Sequence, residues 1–559
     1  MSGKQKPWTS VRCNPDGGTG DEKLRYHTNC QALAEPPASE YKKACGNDLM
    51  SMPETNHILL SSEVAISSGH DGYPSRAPYS AGVAYPEYPF ASHALSGSAN
   101  HAYDGVRDAL QLLELDAEHY GQEDWNPLGQ IIHPGDTVVL KPNFVRDFRE
   151  TQLWHEDCLI THGAIIRAAL DYVYIALRGE GRIIITDAPQ NDADFDAIRR
   201  MTGLDEVRDF YRRHANFQVE VYDLRPEKAR KVDGVIVGHD KLPGDPAGYV
   251  KVNLGSYSKF CEVEHLCYLL YGSEYDTNET RSHHTSGVHE YLISKTILEA
   301  DCIINLPKLK THKKTGITIS MKNLVGINGN KNWLPHHRLG TPSQGGDQFA
   351  DNGLKHRIER NTMACFRRMF LMLGSTRKIL AKPLKVVGQR IFGDTNTDTI
   401  RSGNWYGNDT TWRMVHDLNR ILMYTDKKGN FEDHPARNIF NIVDGIVGGE
   451  GNGPLDPAPK QAGIVLAGEN SVAVDLVCAR LMGFDYRRLP LLCRALDNHS
   501  MPIARFDYDE ITCKSDHQDY NRSLDEFGEI SLSFTPHFGW QHHVEIQLGE
   551  QKRELPCVG

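Results

Sequence analysis

The chain has 559 residues, of which 39% are hydrophobic and 24% are charged, and its formal net charge is −11. Because single hydrophobic cores stop growing at about 250–300 residues, this length predicts two or more packed units. The negative charge argues against nonspecific nucleic-acid binding, and no apolar run approaches the roughly 20 residues that span a bilayer. The first residues contain no apolar core of a signal peptide, so we expect a cytoplasmic protein.

The twelve cysteines are scattered, and no two have the two-residue spacing that is typical of zinc or iron–sulfur ligands. We therefore expect no iron–sulfur cluster. Cys302 and Cys478 lie within apolar runs and are expected to be buried as small hydrophobic side chains.

The first part of the chain predicts a long irregular lead and then α/β structure. The segment Gly69–Asn100 is rich in Pro, Ser, Gly and Tyr and is predicted to be a long loop. The elements predicted after it are a helix at Gly105–Leu115, a strand at Thr137–Leu140, a helix at His162–Leu177 and a strand at Ile183–Ile185. This order of strand, helix and strand is typical of a parallel sheet.

The same order returns later in the chain. The predicted elements there are a helix ending at Thr296–Ala300, strands at Cys302–Leu306, Asn438–Val443 and Ile464–Ala467, and a helix at Ser471–Met482. We predict an α/β fold with two lobes of mostly parallel, Rossmann-like sheets and an active-site cleft between them. The predicted divisions are an N-terminal extension at 1–60, α/β structure carrying the site at 61–350, a basic helical insertion and connecting segment at 351–435, a returning α/β segment with a glycine-rich loop at 436–500 and a C-terminal extension at 501–559.

The insertion contains a basic segment, Lys355–Phe392, with ten Lys or Arg residues against one Glu and with apolar residues at helical spacing. One interpretation is an amphipathic helix that contacts a membrane surface or a partner. The other is a helical insertion that packs on its own domain and exposes a solvated basic face.

A dense group of basic side chains follows the strand predicted at Cys302–Leu306. The segment Asn305–Arg338 contains six lysines, three histidines and three glycines. Loops at the carboxyl ends of strands commonly carry binding and catalytic groups. Lys308 and Lys310 are candidates for holding an anion, and we expect the chemistry of the protein in this segment.

Spacing within the segment indicates separate roles. His312 and Lys322 lie ten residues apart, and His336 and His337 follow Lys322 by fourteen and fifteen residues. One continuous segment would thus bring together a proton-transfer residue, an anchoring lysine and a metal ligand. The alternative is a basic phosphate-binding loop without catalysis.

Polar groups also follow the two earlier strands. Lys141 and Asn143 come after Thr137–Leu140, where a lysine can meet a carboxylate or phosphate as a point charge. Asp187 ends the next strand and is a candidate for binding a metal or orienting a histidine. His162 begins a helix, where the positive end of the dipole lowers its pKa and favours a neutral base. Ordinary roles as a cap and as a turn residue stay open for His162 and Asp187.

A glycine-rich stretch follows the next predicted strand. Asp444 precedes the sequence GIVGGEGNGP, which has five glycines within nine residues. Such a run lets a ligand approach the backbone closely and offers amides to an anion, although it matches neither a P-loop nor a dinucleotide fingerprint. We predict a ligand-binding loop that includes Gly448, Gly449 and Asn452. Asp444 and Glu450 are candidate metal ligands.

Five blocks of the chain together resemble the domain-of-unknown-function family numbered 362. The blocks, which occur in the family's order, are Gly135–Asn143, Asn305–His312, Met321–Gly326, Val443–Pro454 and Ala473–Gly483. Some members of that family carry a ferredoxin-like segment with cysteine clusters, and this chain departs from them. The family name implies no activity.

A second pattern is similar to that of the nickel-pincer lactate racemase family. In that family two histidines move a proton around a hydride transfer, a lysine carries the pincer cofactor, and a later histidine binds nickel. Matched by position, His162 and His312 would be the acid/base pair, and Lys322 would carry the cofactor. His336 or His337 would bind the metal.

The sequence supports three hypotheses of function. The first is a racemase or epimerase that depends on a transition metal such as nickel or on a pincer-type cofactor and acts on a small anionic hydroxylated substrate, held by Lys141 or Lys310. The second is a metal-dependent transferase for a phosphorylated or sugar substrate, with Asp187, Asp444 or Glu450 on the metal. The third is a noncatalytic carrier of an anion or cofactor.

Overall fold

A computed structural model of the chain describes residues 54–91, 94–148, 156–232, 235–272, 277–354, 356, 359 and 399–547. The strands are Glu63–Ser67 (β1), Thr137–Pro142 (β2), Arg182–Asp187 (β3), Val219–Asp223 (β4), Glu227–Val232 (β5), Val235–Lys241 (β6), Tyr249–Asn253 (β7), Leu270–Tyr271 (β8), His284–Thr285 (β9), Val288–Ser294 (β10), Cys302–Leu306 (β11), Lys308–His312 (β12), Gly316–Thr318 (β13), His337–Arg338 (β14), Asn438–Asn452 (β15), Asp456–Gly468 (β16) and Thr512–Ser515 (β17).

The helices of the described ranges lie between these strands. They are His101–Leu112 (α1), Gly163–Leu177 (α2), Phe195–Met201 (α3), Leu204–His214 (α4), Thr277–Ser282 (α5), Lys295–Glu299 (α6), Ser320–Asn323 (α7), Thr411–Tyr424 (α8), Ser471–Leu481 (α9) and Pro490–Cys493 (α10). Each of them is too short or too polar to cross a lipid bilayer. The basic segment Lys355–Phe392 lies outside the described residues, apart from His356 and Glu359.

One large sheet carries the architecture. Its strand order is β17-β1-β16-β15-β11-β2-β3-β4, and β12 and β13 are attached beside β15. The neighbours β15, β11, β2, β3 and β4 run parallel, whereas β16 pairs antiparallel with β15 and β1. The prediction of a mostly parallel α/β sheet is therefore confirmed. The carboxyl ends of the parallel strands meet at one edge, which is where such sheets bind ligands.

Alternate residues of the central strands enter two separate hydrophobic cores. In β11, Ile303 packs into one core and Ile304 into the other, and Ile184 and Ile185 of β3 divide in the same way. Helices α1 to α4 cover the Ile304 face, and α8 and α9 cover the Ile303 face. This two-residue alternation places helices on both faces of one sheet and gives three layers.

The described residues do not divide into two lobes. Every one of them belongs to a single compact unit that begins at Pro53, so the predicted pair of lobes with a cleft between them is not confirmed. The large sheet explains the difference. Because β15 and β16 from the later part of the chain pair beside β11 and β2, the two predicted groups of strands join one sheet.

Most predicted elements occur, with shifted ends. The strand Cys302–Leu306 has the predicted bounds, and Cys302 and Cys478 are buried as expected. The first helix begins four residues before its predicted start because the side chain of Asn100 caps it, accepting a hydrogen bond from the Tyr103 amide at 3.1 Å. Strands β2 and β3 continue into Lys141 and Asp187, so these two site residues are held by the sheet itself.

The glycine-rich segment is strand rather than loop. Strand β15 continues from Asn438 to Asn452 and forms a long hairpin with β16, so the loop predicted after Asp444 is wrong. Close packing explains the glycines, because a Cβ on Gly449 would lie 2.9 Å from the Lys310 Cβ. The bare backbone lets β12 lie against β15.

Helix α7, which carries Lys322, is fixed by a carboxylate from another helix. Asp475 of α9 accepts hydrogen bonds from the amides of Ser320 at 2.7 Å and Met321 at 3.0 Å, and its side chain is fully buried. Two otherwise orphan amides at the helix start are satisfied in this way. Burial raises the pKa of the Asp475 carboxyl to about 7.

We predict that Asp475→Ala lowers the free energy of unfolding by about 1–3 kcal/mol, because it leaves two buried amides without an acceptor. Asp475→Asn keeps one acceptor oxygen and should lose less. Urea unfolding measures both, with Glu123→Ala at an exposed position as a control that stays within about 0.5 kcal/mol. An Asp475→Ala variant as stable as the control would contradict the capping role.

Candidate functional site

The candidate site lies at the carboxyl ends of β2, β3 and β11 and along β12. Strand β12 follows β11 directly, and Lys308, Lys310 and His312 alternate along it so that all three side chains point to one side. All three are buried. A run of basic side chains is thus enclosed in the fold.

Lys141 and Asp187 form an ion pair at the ends of β2 and β3. The Lys141 Nζ donates to Asp187 Oδ1 at 2.8 Å, and the amides of Phe144 and Ala188 donate to the same carboxylate, each at 2.8 Å. Burial is the largest influence on Lys141 and lowers its pKa, against the effect of Asp187. The Asp187 oxygens are therefore engaged by protein donors.

Gly326 packs directly onto this pair. A Cβ on Gly326 would lie 1.9 Å from Asp187 Oδ1 and 2.8 Å from Lys141 Nζ, so a larger residue is excluded. The Gly326 carbonyl also accepts a hydrogen bond from the Ala188 amide at 3.1 Å. The turn that follows α7 is thereby held against the ends of β2 and β3.

A relay of buried asparagine side chains connects α7 to the strand ends. The Asn143 Nδ2 donates to Asn323 Oδ1 at 2.9 Å, and Asn323 Nδ2 donates to Asn305 Oδ1 at 2.8 Å. The Asn305 Nδ2 donates to Asn441 Oδ1 at 2.8 Å, and Lys310 Nζ donates to Asn143 Oδ1 at 2.8 Å. These amides fix the helix that carries Lys322 to β11, β15 and the residue after β2.

Lys322 is the central group of the site. No described residue accepts a hydrogen bond from its Nζ, and burial together with the charge of Lys141 lowers its pKa to about 8. The positive charge of Lys322 in turn lowers the pKa of His312, His336 and Lys310. These groups and the lysines at 314 and 331 form what we call the lysine–histidine cluster.

The other lysines of the cluster also have depressed pKa values. Burial is the main cause, and it lowers the pKa of Lys310, Lys314 and Lys331 to about 7 each. Lys310 donates to the Leu159 carbonyl at 2.6 Å and to Asn143, and Lys314 donates to the carbonyls of residues 336 and 402. Lys310 and Lys314 therefore have neutral partners among the described residues.

The two histidines of the cluster are held neutral. Burial, followed by the charge of Lys322, lowers the pKa of His312 well below its usual value, and burial with Lys314 and Lys322 lowers that of His336 to about 3. The amides of Lys314 and Thr315 donate to His312 Nδ1 at 3.1 and 3.2 Å. Because Nδ1 is an acceptor, the proton of the neutral His312 ring sits on Nε2.

A second group of polar side chains lies around Asp444. Its carboxylate accepts hydrogen bonds from Lys308 Nζ at 3.0 Å, from the Tyr73 hydroxyl at 2.5 Å and from the His162 amide at 2.8 Å. The His162 ring stacks on Tyr73 with centroids 4.0 Å apart, and its Nδ1 accepts from the Ala164 amide as a helix cap. Burial lowers the pKa of His162 to about 4.

The two histidines of the predicted acid/base pair have different surroundings. His162 responds to the charges of Asp444, Asp157 and Lys308, whereas His312 responds to Lys322 and its neighbouring lysines. The capping role is the reason, because it directs the His162 ring onto Tyr73. Of the two histidines, His312 lies with Lys322.

The predicted metal ligands do not converge either. Within the described residues, no three of Asp187, Asp444, Glu450, His336 and His337 place their ligand atoms within 4.8 Å of one another. Lys141 and Lys308 engage the two aspartates, and the Thr535 amide donates to Glu450 at 2.8 Å. The His337 ring packs against Tyr271 in the β14–β8 pair, while His336 donates from Nδ1 to the Leu334 carbonyl.

This arrangement matches the nickel-pincer pattern only in part. That pattern needs two histidines around the reacting carbon, and His162 is occupied as a helix cap in a separate polar group. Of the residues of the pattern, Lys322, His312 and His336 lie in one cluster.

The residues predicted from the glycine-rich stretch lie in the β15–β16 hairpin. Gly448 pairs with Lys460 and Gly449 with Pro459, so the ladder occupies this backbone. Gly449 contacts the cluster through the Lys310 Cβ, whereas Asn452 lies at the hairpin end opposite Asp456. Their positions favour packing of β12 over binding of a ligand.

The sequence predicted most of the basic residues of the site but not the residues that hold them in place. Asn305, Asn441 and Asp475 had a visible signal, because each is a polar residue inside an apolar strand or helix. Asn323 and Tyr73 had none, since the first lies in a polar segment and the second in the long loop. Lys314 and Lys331 belong to the basic segment but were not singled out.

The depressed lysine pKa values predict how stability depends on pH. An unfolded lysine has a pKa of about 10.4, so between pH 7 and 10 the unfolded chain binds more protons and stability rises with pH. We expect Lys322→Met to raise the unfolding free energy at pH 7 by about 1–2 kcal/mol and to flatten this rise. Urea unfolding across this pH range measures both effects.

Lys427→Met, at a lysine side chain that is 59% exposed, is the control and should leave the slope unchanged. A Lys322→Met variant that is less stable at pH 7, with the slope of the unmodified protein, would contradict the depressed pKa.

Comparisons with known proteins identify a family and no activity. No curated protein is detectably similar to this chain. A crystal structure of a Thermotoga maritima protein from the Northeast Structural Genomics Consortium matches at 10% identity and a TM-score of 0.27; the match covers 67% of this chain and 58% of that one. The chain thus spans under two thirds of that protein, and no activity is transferred from it. A model of the domain of unknown function DUF362 matches residues 249–480, and this part of the chain belongs to that family.

Proposed function

We propose that this protein is an isomerase of the racemase or epimerase type that acts on a small anionic hydroxylated substrate. The observation that carries the proposal is Lys322, a half-buried amine with a pKa of about 8 and no described hydrogen-bond acceptor. A base with a pKa near the working pH is best suited to removing a proton. We expect this activity in the cytoplasm.

Binding of an anion follows from the surplus of ammonium groups. Lys310 and Lys314 donate to neutral oxygens, and Asp187 is already paired with Lys141. A carboxylate that enters the cluster would supply the missing negative charge. It would raise the pKa of the lysines that contact it, because an opposite charge favours the charged form.

The chemistry assigned to the cluster is proton transfer at the carbon next to the substrate carboxylate. The neutral Lys322 amine removes the proton, and His312 donates from Nε2 to the oxygen that becomes negative. The Lys314 ammonium, with a pKa of about 7, returns a proton to the opposite face. The surrounding positive charges stabilise the intermediate anion.

The other functional hypotheses have weaker support. Metal-dependent transfer needs free carboxylates, whereas Asp187 and Asp444 are each ion-paired with a buried lysine. A noncatalytic carrier needs an anion site but does not need a free amine of pKa near 8. Lys322 is therefore the residue that separates the isomerase from the carrier.

The test is exchange of the substrate proton with solvent. Small 2-hydroxycarboxylates are incubated with the protein in D2O, and loss of the proton signal at the hydroxyl-bearing carbon is followed by NMR. Exchange should be fastest between about pH 7 and 8, because Lys322 must be free and Lys314 protonated. Lys322→Met should slow it by about a hundredfold or more.

Lys427→Met is the matched control and should exchange at the rate of the unmodified protein. Exchange that survives in Lys322→Met would overturn the assignment of the base. Thermal stabilisation by the same compounds, with no exchange in any variant, would favour the carrier instead.

A further inference from the structure

A cysteine, a glutamate and a histidine meet at the surface, outside the lysine–histidine cluster. The ligand atoms of Cys261, Glu264 and His289 all lie within 4.8 Å of one another. Cys261 and Glu264 belong to the 3-10 segment Lys259–Leu269, and His289 belongs to β10. Residues far apart in sequence are thus placed around one point.

We propose that Cys261, Glu264 and His289 bind one zinc ion. Thiolate, imidazole and carboxylate are the three ligand types that zinc takes in proteins. With bonds of about 2.0–2.3 Å, tetrahedral ligand atoms lie roughly 3.3–3.8 Å apart, so small side-chain movements complete the geometry. Three protein ligands leave the fourth position to water.

The side chains are positioned by their surroundings. One Glu264 oxygen accepts the Gly287 amide at 3.0 Å, and the other contacts His289 Nε2 at 2.9 Å. The His289 side chain is fully buried, and within the described structure its Nδ1 has no hydrogen-bond partner. A zinc ion would take the place of the Nε2 hydrogen bond and keep Glu264 beside the ring.

Among the described cysteines, Cys261 is the one that a metal ion from solvent can reach. Its side chain is exposed, whereas the remaining six cysteines of the described ranges are buried. The Cys261 thiol donates to the Gly255 carbonyl at 3.2 Å, and zinc would bind the thiolate that forms when this proton is released to solvent.

The site adjoins one wall of the lysine–histidine cluster. His289 pairs across strands with His284, whose Nε2 donates to the Trp333 carbonyl at 2.8 Å. Trp333 ends the 3-10 turn Lys331–Trp333, which carries one of the cluster lysines. A bound ion would therefore stabilise this wall, and its presence does not depend on the proposed isomerase activity.

Metal binding to the full chain tests the inference. Purified protein is loaded with Zn²⁺, dialysed against a weak chelator and analysed for metal content, and Co²⁺ is substituted for optical spectroscopy. We expect one equivalent of zinc and a thiolate-to-cobalt charge-transfer band. Cys261→Ser should remove the band and weaken zinc binding roughly tenfold or more.

His265→Gln, at an exposed histidine beside Glu264, is the control and should keep both the zinc and the band. His289→Gln should also lose zinc. Because His289 is buried, this substitution could unfold the chain, and in that case Cys261→Ser by itself tests the proposal. Substoichiometric zinc in the unmodified protein, or a band unchanged in Cys261→Ser, would overturn the proposal.

Discussion

The site depends on one constraint. Several ammonium groups are buried beside a single carboxylate that is already paired. Within the described structure Asp187 is bound by Lys141, so Lys310, Lys314 and Lys322 have no carboxylate of their own. An isolated buried charge is destabilising. Because burial disfavours the charged form of a lysine, the lysine pKa values fall to between about 7 and 8. This burial costs stability locally.

Neutral amides hold this arrangement in place. The relay from Asn143 through Asn323 and Asn305 to Asn441 fixes α7 without adding a negative charge near Lys322. Aspartates at these positions would form hydrogen bonds too, but they would raise the lysine pKa values by their charge. Asp475 is the carboxylate that supports α7 among the described residues, and it accepts the amides of Ser320 and Met321 at the start of the helix.

Local patterns predicted the sheet and the basic segment well. Cys302–Leu306 has the predicted bounds because an apolar run of strand length leads into polar residues. The structure brings His312, Lys322 and His336 into one cluster, as their spacing indicated, although their chemical roles stay predictions. These features depend on residues that are close in sequence.

Contacts between distant parts of the chain could not be predicted from the sequence. The glycines after Asp444 favoured a loop, but they belong to a strand because β12 docks on them from another part of the chain. His162 was paired with His312 by position, yet Tyr73 from the long loop stacks on its ring. The asparagine relay likewise joins residues from separate strands, and no single segment reveals it.

The most direct test of the account is the pKa of Lys322 itself. Competitive acetylation at a series of pH values, read by mass spectrometry on the peptide that contains Lys322, gives this pKa. We expect Lys322 to titrate near 8, well below the ordinary lysine value of about 10.4. A Lys322 that titrates near the ordinary lysine value would contradict the central claim, because the amine would then be an ordinary charged lysine.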